Sequence, residues 1–183
     1  MNPRFKRGAF HAGFATIVDD YSNPESSDYA ALVALLGSST PPVVPGTATF
    51  TQLLQVAKWI LDPAEPANFA SIIRSSGKPV LSQIGLCDPR IPNTQSRYFS
   101  GLLGLGVATP FFGPQLPEPG VAGTSFVQWF INGATGTPAC SAATVDHGFL
   151  VDPTSSPTLT SQAQASFADF LATGAAQSTT VRP

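Results

Sequence analysis

Two side chains of the sequence have types that could form a carboxylate–imidazole pair: Asp88 in "GLCDPRIPN" and His147 in "TVDHGFLV". Each stands just beyond a short apolar run, and 59 residues (147 − 88) separate them. A carboxylate can orient an imidazole and stabilise its protonated form, while the imidazole acts as a general base. The sequence therefore predicts an acid–base pair, with Asp88 as the acid and His147 as the base.

Each of these residues also has a purely structural interpretation. Aspartate favours turns that begin before proline, so Asp88 would cap the turn at Pro89. His147 would then be a hydrogen-bonded loop histidine. Asp146 is a weaker candidate for the acid, because adjacent residues of an extended segment point to opposite sides and Asp146 would not reach the neighbouring imidazole.

The elements that position this pair alternate between strand and helix, which predicts an α/β fold. Compact apolar runs predict strands over residues 79–86 and 124–131, and a third short segment, 141–151, contains His147. Periodicity and caps predict helices over residues 29–36 (capped by Asp28), 50–61, 67–74, 93–105 (with Asn93 as N-cap and Tyr98 facing inward) and 156–173 (before Gly174). Loops that leave the carboxyl ends of parallel strands gather at one edge, where Asp88 and His147 are expected to meet.

Composition excludes several classes of function. The 183 residues suit one compact domain, with 43% hydrophobic and only 11% charged residues. The formal net charge is −2 and the basic residues are scattered apart from Arg4, Lys6 and Arg7, so no surface for nucleic acid is predicted. No apolar run approaches the roughly 20 residues of a membrane span. The first 20 residues lack the apolar core of a signal peptide.

Three segments carry a resemblance to a known family. "KPVLSQIGLCDPRIPNTQSRYFSGLLGL" resembles the part of the α/β-hydrolase fold that bears the acid of the catalytic triad, and "VDHGFLVDPTSSPTLTSQAQASFADFLATG" resembles the part that bears the histidine. "WILDPAEPANFASII" is similar to the connection between lid and sheet in bacterial extracellular lipases and esterases. The resemblance covers roughly residues 50–175. It implies that Asp88 is the triad acid and His147 the general base.

The same resemblance implies a domain organisation and a substrate class. Residues 1–76 would form a helical cap or lid-like region, and residues 77–183 would form the C-terminal portion of the hydrolase, with the last strands of its sheet and flanking helices. The substrate would be an ester or a lipid-like small molecule, and the full-length family members are secreted or lie in the cell envelope. The sequence has no motif for a metal ion or an organic cofactor.

The nucleophile of such a triad has no counterpart in the sequence. This fold places a serine on an elbow of the form G-x-S-x-G, and no such motif occurs in the 183 residues. The segments around Ser82 ("VLSQI"), Ser125 ("GTSFV") and Gly77 ("RSSGK") each lack at least one glycine. The family order is serine, acid, histidine, so the elbow would precede residue 50, where no strand followed by an elbow is predicted.

We therefore predict the C-terminal part of a carboxylic-ester hydrolase, from a truncated, split or decayed gene and inactive by itself. Strand 79–86 would lack its neighbour and leave an open apolar edge, which predicts self-association or pairing with the missing half. One alternative is a binding or interaction module that kept the fold and lost the chemistry. Another is a small stand-alone enzyme with an unrecognised serine nucleophile.

The remaining candidates have mainly structural interpretations. His11 has no Cys, Asp or Glu at ligand spacing, so a metal site is not predicted there. Asp152 suits a turn or a helix cap, and the pair Asp19–Asp20 suits a solvated loop. Three aromatic residues are expected in the core rather than in an acyl-chain pocket: Trp59, Trp129 and Phe130. The two cysteines, Cys87 and Cys140, could be free thiols or form one disulfide.

Overall fold

A computed structural model describes residues 6–11, 13, 15–85, 88–107, 126–130, 147–154 and 156–174, with the backbone alone at 106–107 and 126–130. This part of the chain is mixed α/β, as predicted. Its strands are β1 (Gly8–His11), β2 (Val80–Gly85), β3 (Gly106–Val107) and β4 (Phe126–Phe130). Its helices are α1 (Ile17–Ser22), α2 (Ser27–Gly37), α3 (Ala48–Leu61), α4 (Pro66–Ser75), α5 (Asn93–Leu103) and α6 (Pro157–Thr173), with a 3₁₀ turn at Asp62–Ala64.

The strands form one parallel sheet in the order β1-β2-β4-β3. Gly8 lies opposite Val80, and Leu81 lies opposite Phe126. The prediction that strand 79–86 has an open edge is wrong, because β1 covers one side of β2 and β4 covers the other. Among the described strands, β1 is the edge on that side. It comes from residues 1–76, the segment that the sequence assigns to a helical cap.

Strand β2 is buried on both faces, which explains its nearly continuous apolar sequence. Successive side chains alternate between the two faces of a sheet. Val80 and Ile84 pack on one face in a cluster with side chains of α4 and α5: Ala70, Phe99 and Leu103. On the opposite face Gln83 Nε2 donates to the carbonyl of Ala163 in α6 over 2.9 Å. Helices therefore flank the sheet on both sides.

Helix α6 closes the described part of the chain. The Ser156 hydroxyl accepts from Leu159 N and caps the first turn. The sequence predicts an inner face that contains Leu159, Ala163, Phe167, Phe170 and Leu171. Leu159, Ala163 and Phe170 are buried, whereas Leu171 is 43% exposed. Gly174 ends the helix with a φ of 77°, a left-handed conformation that favours glycine.

The helix caps differ from prediction at two places. Helix α2 begins two residues earlier than expected, because the Ser26 side chain accepts from Asp28 N and places Asp28 inside the first turn. Helix α5 includes Asn93 itself, and Pro92 occupies the N-cap. Tyr98, expected to face inward, is 55% exposed, whereas its neighbour Phe99 is 1% exposed.

Helices α3 and α4 carry apolar side chains that the rest of the described chain does not cover. Phe50 is the buried residue of α3, whereas Trp59 is 81% exposed. The prediction that Trp59 belongs to the core is therefore wrong. We call the following residues the apolar cap surface: Leu53, Val56, Trp59, Ile60, Phe69 and Ile72. Among the described helices, none combines the length and apolar character that a membrane span requires.

A buried glutamate joins helix α1 to the start of helix α4. Glu65, 2% exposed, accepts hydrogen bonds from the backbone N–H groups of Ile17 and Val18 at the start of α1. A carboxylate at this position satisfies N–H groups that have no partner within the helix and complements the helix dipole. Ala67 N donates to Ala15 O over 2.9 Å beside it. These contacts fix α1 against the start of α4.

Candidate functional site

The structure brings together the two residues that the sequence nominates. His147 Nδ1 lies 2.8 Å from Asp88 Oδ2, a hydrogen-bond distance. The Asp88 side chain is 2% exposed and the His147 side chain 33%. A buried carboxylate costs several kcal/mol without a partner, and the imidazole is that partner. Asp88 follows the carboxyl end of β2, the edge of the parallel sheet at which ligands bind in such folds.

A tight turn after β2 holds the Asp88 carboxylate in place. Asp88 Oδ1 accepts hydrogen bonds from Arg90 N over 2.8 Å and from Ile91 N over 3.1 Å. The turn-capping interpretation of Asp88 is therefore confirmed, and it is compatible with the acid–base one. One carboxylate oxygen is fixed by the turn, which leaves the other for the imidazole.

The contact with Asp88 also sets the chemistry of the imidazole. The hydrogen bond to Asp88 is the largest influence and raises the pKa of His147, against the opposing effect of burial. Because the ionised carboxylate can only accept, the neutral imidazole carries its proton on Nδ1. Its Nε2 then holds the basic lone pair. Such an imidazole can take a proton from a hydroxyl group and return it to a leaving group.

His11, at the carboxyl end of β1, supports the segment that carries His147. His11 Nε2 lies 3.1 Å from the His147 carbonyl and donates to it. The His11 ring also packs against Phe149, with 4.3 Å between the ring centroids. Burial is the largest influence on His11 and lowers its pKa, so the neutral ring acts as the donor. The predicted structural role of His11 agrees with these contacts, and its specific contact with His147 has no signal in the sequence.

A second carboxyl group, that of Asp20, lies near the pair, and the prediction that it belongs to a solvated loop is wrong. Asp20 is 3% exposed in α1, not part of a solvated loop, because Glu65 anchors α1 and turns Asp20 inward. Burial raises the pKa of Asp20 to about 6, the Asp28 carboxylate adds to the rise, and the Ser26 hydroxyl opposes it. Asp19, its neighbour, instead lies 3.8 Å from Lys58 near the surface.

The serines considered as nucleophiles do not form an elbow where the structure describes them. Ser82 is 0% exposed in the middle of β2, and Ser75 is the last residue of α4. Ser125 lies outside the described residues. In the α/β-hydrolase fold the nucleophile needs a turn between a strand and a helix, with its hydroxyl presented at the sheet edge. Neither Ser82 nor Ser75 has that setting.

Other nominated residues complete the picture. Asp152 caps a turn, since its Oδ1 accepts from Thr154 N over 2.9 Å. Within the described ranges, no group of three or more His, Cys, Asp or Glu side chains is placed to hold a metal ion. Several candidates lie outside the description, either entirely or by their side chains: Cys87, Cys140, Asp146, Trp129 and Phe130.

Comparisons with protein-family models, curated proteins and solved structures gave no match to this chain. The 2.8 Å contact between His147 Nδ1 and Asp88 Oδ2 has the geometry in which a carboxylate can orient an imidazole. Acyl transfer uses this arrangement when a hydroxyl nucleophile and donors for the developing oxyanion are added.

Proposed function

We propose that this chain is the acid–base portion of an α/β-hydrolase that cleaves carboxylic esters, as lipases and esterases do. The observation that carries the proposal is the 2.8 Å contact between His147 Nδ1 and Asp88 Oδ2, with the carboxylate buried and held by its own turn. Structural ion pairs are common. In this pair, however, the carboxylate is buried while one third of the imidazole is exposed, so the imidazole can contact a substrate. Its place after a parallel strand supports the same interpretation.

The proposed reaction follows from the protonation states. His147 Nε2 removes the proton of a serine hydroxyl as its oxygen attacks the ester carbonyl. The resulting imidazolium is stabilised by Asp88 and gives the proton to the departing alcohol oxygen as the acyl bond breaks. Water then repeats the sequence on the acyl intermediate and releases the acid. Asp88 stays ionised throughout and keeps the imidazole in the tautomer with Nδ1–H.

The serine in this proposal lies outside residues 1–183, which contain no G-x-S-x-G. Its strand would pair with the free side of β1, the edge among the described strands. Neighbouring strands are about 4.8 Å apart, so the end of such a strand would lie within roughly 10 Å of the end of β2. His147 contacts β1 through its carbonyl, 3.1 Å from His11 Nε2, which would bring the segment that carries the imidazole near the end of that strand. Without that strand, the β1 edge favours pairing between copies of the chain.

The apolar cap surface supports a substrate with an apolar acyl group. Trp59 and Ile60 are 81% and 65% exposed on α3, in the segment that the sequence assigns to a lid-like region. Leu53, Val56 and Ile60, spaced three and four residues apart, share one face of α3, and contiguous exposed apolar patches mark binding sites for apolar partners. A secreted or cell-envelope location is part of the same proposal, in keeping with the low content of charged residues.

A second candidate function is a non-catalytic binding module. The absence of G-x-S-x-G from the 183 residues is the specific observation that favours it. In that case the Asp88–His147 contact would serve only to hold the two loops together, and the apolar cap surface would be the functional part.

The test begins with the DNA that flanks the coding sequence. We expect a reading frame that encodes G-x-S-x-G, and we expect its product, expressed together with this chain, to hydrolyse p-nitrophenyl butyrate. His147→Ala should abolish turnover, whereas Asp152→Asn, in an exposed turn, should leave it unchanged. A flanking G-x-S-x-G whose product gives no turnover, or turnover that survives His147→Ala, would contradict the proposal. Turnover by the 183-residue chain alone would show that its serine lies within the chain.

A further inference from the structure

Two peptide groups of the turn that carries Asp88 each make two hydrogen bonds, one to the Asp88 carboxylate and one to the start of α2. In the Pro89–Arg90 peptide, the N–H donates to Asp88 Oδ1 over 2.8 Å, and the carbonyl accepts from Ser27 N over 2.8 Å. In the Arg90–Ile91 peptide, the N–H donates to Asp88 Oδ1 over 3.1 Å, and the carbonyl accepts from the Ser26 hydroxyl over 2.7 Å. Two consecutive peptide groups therefore lie between the start of α2 and the carboxylate.

Because each peptide group is planar, a contact at its carbonyl affects the orientation of its N–H. A peptide group is rigid, so a hydrogen bond that fixes its oxygen also fixes the direction of its N–H. A donor on the carbonyl further polarises the group and strengthens the bond that its N–H makes. Both N–H groups point at Asp88 Oδ1, and the other oxygen of that carboxylate, Oδ2, meets His147. The position of α2 is thereby transmitted to the imidazole.

Ser26 is suited to this task by its own surroundings. It is 2% exposed, and its oxygen already accepts from Asp28 N over 3.1 Å. As a donor the hydroxyl lies 2.7 Å from the Arg90 carbonyl, and the Asp20 carboxyl group beside it is a second acceptor. An ion pair on the outside of the turn, Arg90 Nη2 to Asp28 Oδ1 at 3.1 Å, keeps the start of α2 against the same turn.

We propose that Ser26 and Ser27 position the acid of the catalytic pair by holding the two peptide groups that hold the Asp88 carboxylate. This proposal rests on the proposed function only where it concerns catalysis. The effect of Ser26 on the Asp88 turn and on His147 does not depend on whether the chain hydrolyses esters. Ser26 is a positioning residue, since it acts on the imidazole through the turn and not by contact.

The test compares Ser26→Ala with the wild-type 183-residue chain by NMR titration of the histidine rings. Five charged or titratable groups act on His147 or lie near it: Asp88, Asp28, Asp20, Arg90 and His11. Ser26→Ala changes no charge, so it is a cleaner variant than Arg90→Gln or Asp28→Asn. Because Ser26 also influences Asp20, the comparison is repeated in an Asp20→Asn background.

We expect Ser26→Ala to lower the pKa of His147 in both backgrounds and Ser26→Thr to restore it. The Arg90 and Ile91 amides should exchange with deuterium roughly tenfold faster, the scale of one lost hydrogen bond, whereas the Leu105 amide, at the end of α5, should not change. Ser38→Ala, which removes an exposed hydroxyl at the other end of α2, should change neither quantity.

An unchanged His147 pKa together with unchanged Arg90 and Ile91 exchange in Ser26→Ala would overturn the positioning role. So would a pKa change that disappears in the Asp20→Asn background. If Ser26→Ala does not fold, Ser26→Cys, similar in size with a weaker donor, takes its place. Failure of both to fold would also overturn the role, since it would show that the hydroxyl supports the whole chain. None of these readouts requires ester hydrolysis, so they are separate from the test of the proposed function.

Discussion

Asp88→Asn is expected to lower ester hydrolysis by about 10⁴-fold in the chain combined with its nucleophile-bearing segment. The asparagine oxygen can keep accepting from Arg90 N and Ile91 N, so the turn should survive. The amide nitrogen then faces His147 Nδ1 and can only donate. It would force the imidazole to accept at Nδ1 and to carry its proton on Nε2, where the reaction needs the lone pair.

The same substitution predicts a change in pH dependence. In the wild type the pKa of His147 is raised by Asp88, and a general base works only when it is neutral. Activity should therefore fall as the pH drops through a value above 6.5, and this limb should move to lower pH in Asp88→Asn. The control is Asp152→Asn, a substitution of the same chemistry at an exposed turn. A loss of less than about tenfold would contradict the role assigned to Asp88.

Asp20→Asn is expected to stabilise the chain at neutral pH by as much as about 3 kcal/mol. The pKa of Asp20 rises from 3.8 unfolded to about 6 folded, so the folded state binds the proton more tightly. Tighter proton binding in the folded state stabilises the fold below the unfolded pKa, and this stabilisation is lost as the pH rises through about 6. The difference of about two pKa units corresponds to about 3 kcal/mol. Asparagine stays neutral, so it avoids the cost of the buried charge.

Urea unfolding at about pH 4.5 and about pH 8 measures this effect. The advantage of Asp20→Asn should be larger at the higher pH. Asp19→Asn, next to it in α1 and close to Lys58 at the surface, is the matched control and should change stability little at either pH. His147 gives wild-type stability a trend of the same sign, so each variant is compared with wild type at the same pH. A difference between Asp20→Asn and wild type that does not change with pH would contradict a raised Asp20 pKa.

Local pattern was sufficient to predict the elements with strong signals. Strand β2 has an apolar run between Pro79 and the Asp88–Pro89 turn, and α6 has an apolar face with Gly174 after it. Asp88 and His147 could also be identified as candidates from the sequence, because the chain has only two histidines and both residues follow apolar runs. Their contact needed one further assumption, that loops after parallel strands share an edge, and the structure confirms the parallel order.

The failures concern positions that depend on contacts distant in sequence. Strand β1 is only four residues long, and it becomes a strand because it pairs with β2, 72 positions later (80 − 8). Asp20 is buried because Glu65, far along the chain, anchors α1. Trp59 is a large apolar residue of a type that is often buried, yet nothing in the described chain covers it. In each case the local sequence is compatible with more than one environment.

The central claim is that Asp88 holds His147 as a base, and an NMR titration of the histidine rings tests it most directly. The chain contains two histidines, assigned by His11→Gln and His147→Gln. We expect His147 to titrate above 6.5 and His11 below it, since Asp88 raises the pKa of the first and burial lowers that of the second. Asp88→Asn should bring the His147 pKa down. A His147 pKa at or below 6.5, or one that Asp88→Asn leaves unchanged, would contradict the claim.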